Sequence, residues 1–307
     1  MKLLVTGASG LLGINLAIEM MDEHEVVGID RGKLKSAPFQ VIKADILKRD
    51  EINSILDTIN PDWFINCAAL ANLEKCEEDP AQARILNTDL PGELAGACAK
   101  RNIPFIHLST DSVFDGTKAG IYTEEDAPNP PGVYSQTKLD GERAVGQVNR
   151  RAIIARVNFY GWSLGAKRSL PEFFVNNLSE GKNVNGFTDV IFCPMWVNHL
   201  AQTLVEMLER DLHGLYHVVG AQAMNKYQFG VEVARKFGLR ESLISPQSVE
   251  SSSLTAKRSH NLHLSVHKLS TALGHELPEF STGLDGFYTQ FQHGYPQKIR
   301  SYQQFNA

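Results

Sequence analysis

The chain has 307 residues, of which 43% are hydrophobic, so it can bury one large core or two unequal ones. Its formal net charge is −5 and it contains no basic run, so we expect no nucleic-acid partner. The four cysteines lack CxxC spacing, and no apolar run reaches the roughly 18 residues of a membrane span. These features are typical of a reducing compartment, and we expect a cytoplasmic protein without a metal site.

Short apolar runs alternate with helical patterns along the first half of the chain. "KLLVTG" predicts a buried strand, "LLGINLAIEMMDE" a helix and "EVVGID" a second strand. "EINSILDTIN" is helical and "DWFINCAA" is the next strand. "DPAQARILNTDLPGELAGACAKRN" predicts a long helix that Pro91 should bend or break, because proline lacks the backbone N–H.

The alternation continues further along the chain. "PFIHLSTDSVF" predicts a strand that runs into a loop, "VYSQTKLDGERAVGQV" a helix and "AIIARVNF" another strand. The helix "VNHLAQTLVEMLER" is followed by a late strand, "GLYHVVG". Continuous apolar strands separated by helices indicate a parallel sheet with both faces covered.

The character of the sequence changes after about residue 158, where segments become shorter and more polar. We predict an α/β fold in which residues 1–160, together with 194–220, form a doubly wound sheet. Residues 161–193 and 221–307 would form a smaller C-terminal lobe.

Three glycines lie between the first strand and the first helix. Gly7, Gly10 and Gly13 have G-x-x-G-x-x-G spacing, which provides a tight turn and exposed backbone at a helix N-terminus. That arrangement binds a pyrophosphate in Rossmann-type dinucleotide folds. A glycine-rich turn that serves only packing is the alternative.

Asp30 ends the second strand, where a carboxylate would accept hydrogen bonds from the adenosine ribose and repel a 2′-phosphate. Arg31 and Lys33 follow at once and would attract that phosphate. The sequence therefore favours NAD(H) only slightly and leaves NADP(H) open. An aspartate that merely stabilises a turn is the alternative.

Tyr134 and Lys138 are four residues apart on the predicted helix, so both side chains lie on one face. A cation beside a phenol favours the phenolate, and the tyrosine would then exchange a proton more easily near neutral pH. A pair on a solvated helix surface is the alternative.

These motifs, in this order, resemble those of the extended short-chain dehydrogenase/reductases, and most of all the dTDP-4-dehydrorhamnose reductase branch. The matching stretches are "TGASGLLG", "NCAALANLEKCEEDP", "NTDLPGELAGACAK", "HLSTDSVFDG" and "VYSQTKLDGE". The resemblance implies an NAD(P)H-dependent reductase of a nucleoside-diphosphate 4-keto-6-deoxy sugar, with the sugar nucleotide in the smaller lobe. It leaves the oligomeric state open, a homodimer included.

The resemblance also implies roles for individual residues. Tyr134 would donate a proton to the substrate carbonyl, Lys138 would bind the nicotinamide ribose, and the Thr110 hydroxyl would orient the reacting oxygen. Ser109 and Asp111 are neighbours that could share the role of Thr110. The cofactor-binding residues implied, besides Tyr134 and Lys138, are Gly7, Ser9, Gly10, Leu11, Leu12, Gly13, Asp30, Arg31, Asp45, Ile46, Cys67, Ala68, Ala69 and Asn87.

The sequence departs from the pattern of these reductases on the substrate side. Ser112 replaces a tyrosine in "STDSVFDG", and "FCPMW" replaces a "GxPT" segment. The run "RVNFYGWS" lacks the tryptophan that these reductases commonly carry directly after the sixth strand, and it has one residue fewer before Gly161. We interpret this as a changed substrate. The substrate-binding residues predicted are Asp111, Ser112, Asn158, Phe159, Trp196, Lys257 and Arg258.

Two other functions remain open. One is an NAD-dependent nucleotide-sugar epimerase or dehydratase, because Asp111 provides an acid beside Thr110. The other is a non-catalytic regulatory subunit that resembles the β subunit of methionine adenosyltransferase and binds a nucleotide for assembly.

Overall fold

The computed structural model describes residues 1–251 and 258–303. The strands are β1 (Lys2–Thr6), β2 (Glu25–Asp30), β3 (Gln40–Lys43), β4 (Trp63–Asn66), β5 (Phe105–Thr110), β6 (Ile153–Val157), β7 (Phe159–Tyr160), β8 (Val184–Phe187), β9 (Ile191–Phe192), β10 (Met195–Trp196), β11 (Gly214–Val218), β12 (Met224–Asn225) and β13 (Ile244–Gln247). The helices are α1 (Leu11–Met20), α2 (Arg49–Ile59), α3 (Leu73–Glu78), α4 (Pro80–Arg84), α5 (Leu90–Ala99), α6 (Val133–Val148), α7 (Leu170–Ser179), α8 (Val197–Glu209), α9 (Lys226–Lys236), α10 (His267–Leu273), α11 (Phe280–Gln292) and α12 (Tyr295–Arg300).

The central sheet is parallel throughout. Across the described residues it has seven strands in the order β11-β6-β5-β4-β1-β2-β3. This is the doubly wound Rossmann order with an added edge strand, and it confirms the predicted fold class. The order reverses between β1 and β4, and ligands of such sheets bind in the crevice at that point.

Both faces of the sheet are buried because its strands are apolar at nearly every position. On one face, Leu3 and Val5 pack with apolar residues of α1 and α8. On the other face, Leu4 packs with residues of α2 and α5. Each such side chain contributes roughly 1.5–3 kcal/mol by its burial. Within the described ranges, no helix is both long and apolar enough to cross a membrane.

The long helical pattern predicted to bend or break at Pro91 stays continuous, but its hydrogen bonding changes just before that residue. Helix α4 runs into a π-helical segment, Ile85–Asp89, in which the Leu90 N–H donates to the Ile85 carbonyl, and α5 then continues with Pro91 in its first turn. Such π segments often mark functional sites. The short edge strand β3 was not predicted, because its residues "QVIK" form only a brief apolar pattern.

A second core lies outside the sheet. It contains aromatic residues from β7, α7, α9 and α11, and the indole of Trp162 stacks on Phe287 at 4.1 Å between ring centroids. Three two-stranded sheets, β7–β10, β8–β13 and β9–β12, lie in this part of the chain. Within residues 194–220, β11 completes the central sheet and α8 packs beside α1. The exact domain division stays a prediction.

Candidate active site

The glycine loop between β1 and α1 has no room for side chains. Gly7 has φ +64°, and a Cβ there would lie 2.9 Å from the Ala68 amide nitrogen. A Cβ on Gly13 would lie 2.2 Å from the Gly7 carbonyl oxygen. The Gly10 N–H donates to that carbonyl at 2.7 Å. The turn therefore requires glycine and presents backbone at the N-terminus of α1, as the sequence predicted.

A cleft of about 610 Å³ opens above this loop. The predicted cofactor-binding residues that line it are Gly7, Ser9, Gly10, Asp30, Arg31, Asp45, Ile46, Cys67, Ala68 and Ala69. Leu12 lies instead in the core below the sheet, and Leu11, Gly13, Asn87, Tyr134 and Lys138 lie outside the lining. The bare glycine turn, the volume and the cationic lining together fit a dinucleotide.

Asp30 stabilises the turn after β2. It is buried, and its Oδ1 accepts hydrogen bonds from the backbone N–H groups of Gly32, at 2.8 Å, and of Lys33. Arg31 and Lys33 are exposed and line the cleft. A turn-stabilising role and a ribose-binding role are therefore compatible for Asp30, because its carboxylate holds the turn and still borders the cleft.

Polar side chains connect the strands at the crevice. The Thr6 hydroxyl donates to Asn66 Oδ1 at 2.6 Å, and Asn66 Nδ2 lies 3.3 Å from His107 Nδ1. Burial lowers the pKa of His107 well below its usual value, so this ring is neutral. The chain of contacts fixes the carboxyl ends of β1, β4 and β5 relative to one another.

Asn87 lies in the π-helical segment and holds the loop that lines the cleft. Its amide accepts from the Leu70 N–H at 2.9 Å and donates to the Leu70 carbonyl at 3.1 Å and to the Thr137 hydroxyl at 3.2 Å. Asn87 thus joins the loop after β4 to α6. Its role is to position the site, and it does not line the cleft.

Tyr134 and Lys138 lie on α6, next to the end of β5. Burial raises the pKa of Tyr134 to about 12, against the hydrogen-bonding contribution of the Thr110 hydroxyl. Burial lowers the pKa of Lys138 to about 8, and its ammonium donates to the Leu108 carbonyl. The expected lowering of the Tyr134 pKa is therefore absent in the chain by itself, because desolvation of the phenolate outweighs other contributions.

Ser109 does not share the role of Thr110. Its hydroxyl donates to Glu142 Oε1 at 2.5 Å, away from Thr110's partners. Arg156 binds the same carboxylate through two hydrogen bonds, at 2.9 and 2.8 Å. The ion pair is almost fully buried, with side-chain exposures of 3% and 7%. This network fixes α6 against β5 and β6, and no motif in the sequence predicted it.

Asp111 lies beside Thr110 in a buried polar cluster. Its carboxylate accepts from Thr110 Oγ1 at 3.1 Å, from Ser112 Oγ at 3.2 Å and from Asn158 Nδ2 at 2.5 Å. Burial raises the pKa of Asp111, while these hydrogen bonds and the nearby Lys226 ammonium oppose the rise. Three of the predicted substrate-binding residues are thus in contact with one another.

The other predicted substrate-binding residues lie elsewhere. Phe159 pairs with Met195 between β7 and β10, and the Trp196 indole packs against Gly283 and Gly286 of α11. Trp196 therefore belongs to the packing of the second core. Arg258 forms an ion pair with Glu74 at 2.7 Å. Lys257 lies outside the described residues.

Several cations of the site were not predicted. Lys75, Lys167 and Arg168 line the cleft together with Arg31 and Lys33. Lys226, the first residue of α9, interacts electrostatically with Asp111 and Arg258. The dipeptide Lys167–Arg168 in "GWSLGAKRSL" could have been predicted to lie just before a helix N-terminus, because it directly precedes a Ser169-to-Glu172 capping box. No cluster of three metal-ligating residues occurs in the part of the chain that the structure describes.

A comparison with known protein families shows which family this chain belongs to. Residues 1–293 match the model of the RmlD substrate binding domain. The chain belongs to this family. The family assignment confirms the resemblance drawn from the motifs.

Individual relatives of this RmlD-family chain have different functions. It is 33% identical to a probable low-salt glycan biosynthesis reductase of Haloferax volcanii, over 94% of this chain and 97% of the relative. It is 31% identical to the mouse methionine adenosyltransferase 2 subunit beta, over 92% and 86%. A solved dTDP-4-dehydrorhamnose reductase from Clostridium acetobutylicum superposes with a TM-score of 0.84 at 27% identity, covering 95% of this chain and 100% of that one.

Proposed function

We propose that this protein is an NAD(P)H-dependent oxidoreductase that reduces the C4 ketone of a nucleoside-diphosphate 4-keto-6-deoxy sugar to an alcohol. The observation that supports the proposal is the hydrogen bond between Tyr134 and Thr110 at the carboxyl end of β5, with Lys138 one turn further along α6 and bonded to the Leu108 carbonyl of the same strand. The relatives that are reductases, at 33% and 27% identity, support it.

A nicotinamide held in the cleft would supply the hydride for the carbonyl carbon. Tyr134 gives the proton that the carbonyl oxygen needs, and a neutral phenol with a pKa of about 12 is a proton donor at neutral pH. The Thr110 hydroxyl orients the same oxygen. Lys138, with a pKa of about 8, is mostly charged at pH 7 and would hold the nicotinamide ribose, the role that the family resemblance implies.

The polar cluster beside Thr110 forms the sugar-binding side in this proposal. Asp111, Ser112 and Asn158 offer carboxylate, hydroxyl and amide groups for sugar hydroxyls. Lys226 and Arg258 bring positive charge to the same side, which suits a diphosphate that anchors the substrate away from the ketone.

The test is oxidation of NADH and NADPH, followed by absorbance, with dTDP-, UDP-, GDP- and CDP-linked 4-keto-6-deoxy sugars. We expect turnover with at least one of them and a far lower kcat/KM for the same sugar without its nucleotide. The Tyr134→Phe variant is the matched control, because it loses only the phenolic hydroxyl. If no sugar nucleotide in the panel is reduced, the proposal is wrong.

The regulatory function is the second candidate, because the β subunit of methionine adenosyltransferase is about as similar to this chain as the reductases are. It would require nucleotide binding without turnover and association with a larger enzyme.

The dehydratase alternative rests on Asp111, whose carboxylate is held by three hydrogen bonds within its own cluster. Conversion of a sugar nucleotide without net cofactor oxidation would favour it.

A further inference from the structure

We propose that Lys167 and Arg168 bind the pyrophosphate of the dinucleotide and complete the phosphate site begun by the glycine loop. This inference rests on the proposed function, because it assigns further residues to the same cofactor cleft. Both residues line that cleft with Gly7, Ser9 and Gly10, although they lie more than 150 positions later in the chain.

Residues 163–168, which include the two cations, are held in place by hydrogen bonds from α7. Glu172 is fully buried, and its carboxylate accepts hydrogen bonds from the Ser163 N–H and hydroxyl, at 2.7 Å each, and from the Arg168 N–H at 3.1 Å. Asn176 Nδ2 donates to the Ala166 carbonyl at 2.8 Å. A segment fixed in this way loses little further backbone entropy when a ligand binds.

The same segment is attached to the phosphate-binding helix. Asn15 of α1 donates through Nδ2 to the Trp162 carbonyl at 2.9 Å, immediately before the segment begins. Asn15 lies little more than one turn from Gly10, where the N-terminus of α1 faces the cleft. Lys167 and Arg168 line the same cleft as this helix N-terminus, which suits a pyrophosphate.

The cleft has an excess of positive charge, which favours an anionic ligand. Five cations, Arg31, Lys33, Lys75, Lys167 and Arg168, line it against two carboxylates, Asp30 and Asp45, although the whole chain carries a net charge of −5. Within residues 1–251 and 258–303, none of the five side chains forms a salt bridge. Lys167 and Arg168 are also exposed, and although the Lys167 charge acts on Glu180, the two form no salt bridge that phosphate binding would have to break.

The two pairs of cations, Arg31 with Lys33 and Lys167 with Arg168, follow different elements, so we assign them to different parts of the cofactor. Arg31 and Lys33 follow β2, where the adenosine ribose and any 2′-phosphate would lie. Lys167 and Arg168 line the cleft together with Gly7 and Gly10 before α1, and in this proposal they contact the pyrophosphate, which NADH and NADPH share. Removing the second pair should therefore weaken both cofactors by similar factors.

The experiment compares three forms of the full-length protein: wild type, Lys167→Gln/Arg168→Gln, and Arg150→Gln/Arg151→Gln. The third form is the control, because it also removes two consecutive exposed cations, which lie at the amino ends of β5 and β6, away from the cleft. Binding of NADH and of NADPH is measured by nucleotide fluorescence at low and high KCl, and thermal melting checks that each form is folded.

We expect the Lys167/Arg168 variant to raise the Kd of both cofactors about tenfold or more, and the control to leave both unchanged. Binding of the variant should also depend less steeply on KCl. Unchanged Kd values would overturn the proposal, and so would a rise confined to NADPH, which would place the pair at the 2′-phosphate. If the wild type binds neither cofactor, the proposed function fails as well.

Discussion

Glu142 connects the catalytic helix to the sheet, and replacing it with glutamine should strongly destabilise the protein. The Glu142 carboxylate is bound by Arg156 through two hydrogen bonds and by the Ser109 hydroxyl through a third. A glutamine keeps one acceptor oxygen, but its NH₂ group would face a donor. It also leaves the buried Arg156 guanidinium without a counter-charge.

Removing one partner of a buried ion pair costs about 3–5 kcal/mol, because the remaining charge is desolvated and unpaired. We therefore expect Glu142→Gln to lower the free energy of unfolding by about 3 kcal/mol. The substitution should also lower the pKa of Lys138 further, since burial already lowers it and the Glu142 charge opposes that effect.

Urea denaturation measures the first effect, and the pH dependence of kcat/KM measures the second. Glu93→Gln is the control, because its ion pair with Arg49 has a similar distance, 2.7 Å, but is exposed to solvent. That variant should unfold at nearly the wild-type urea concentration. A loss below about 1 kcal/mol in Glu142→Gln would refute the reasoning that the buried pair fixes α6 to β5 and β6.

Three further predictions concern the catalytic and cofactor residues. Tyr134→Phe should reduce kcat about 10²-fold or more while the Kd for NADPH, measured by fluorescence, stays unchanged; an unaltered kcat would remove Tyr134 from the mechanism. Asp30→Asn keeps an acceptor oxygen for Gly32 but removes the charge, so the NADPH-to-NADH ratio of kcat/KM should rise about tenfold, whereas a constant ratio would show that Asp30 does not act on the ribose. Lys138 has a pKa of about 8 in the folded chain against 10.5 in the unfolded one, so its charge costs stability below pH 8, and the cost disappears between pH 8 and 10.5. Urea denaturation of Lys138→Met should therefore show a flatter dependence on pH in that interval than the wild type, and parallel curves would contradict the shift.

Local sequence patterns were sufficient for most of the sheet. The apolar runs at β1, β2, β4, β5 and β6 all form buried parallel strands, because a strand covered on both faces must be apolar at nearly every position. Pro91 was predicted to disturb the helix because its missing N–H affects the hydrogen bonding of the adjacent turn. The edge strand β3 was missed, since a four-residue run carries too little periodicity.

Tertiary structure decided which polar residues meet. Ser109 and Thr110 are adjacent in sequence, yet strand geometry sends their side chains to opposite faces, where only Ser109 reaches Glu142. The sequence could not show that burial, acting on Tyr134 and Lys138 together, raises the pKa of one and lowers that of the other.

The sequence by itself determined the doubly wound sheet, the glycine turn and the spacing of Tyr134 and Lys138, since each depends on local backbone geometry or on periodicity along one element. Only the tertiary structure decided that Lys167 and Arg168 join the glycine loop at one cleft, and that Trp196 packs against α11. Those contacts join residues far apart in the chain, and no local pattern encodes which distant surfaces meet when the core closes.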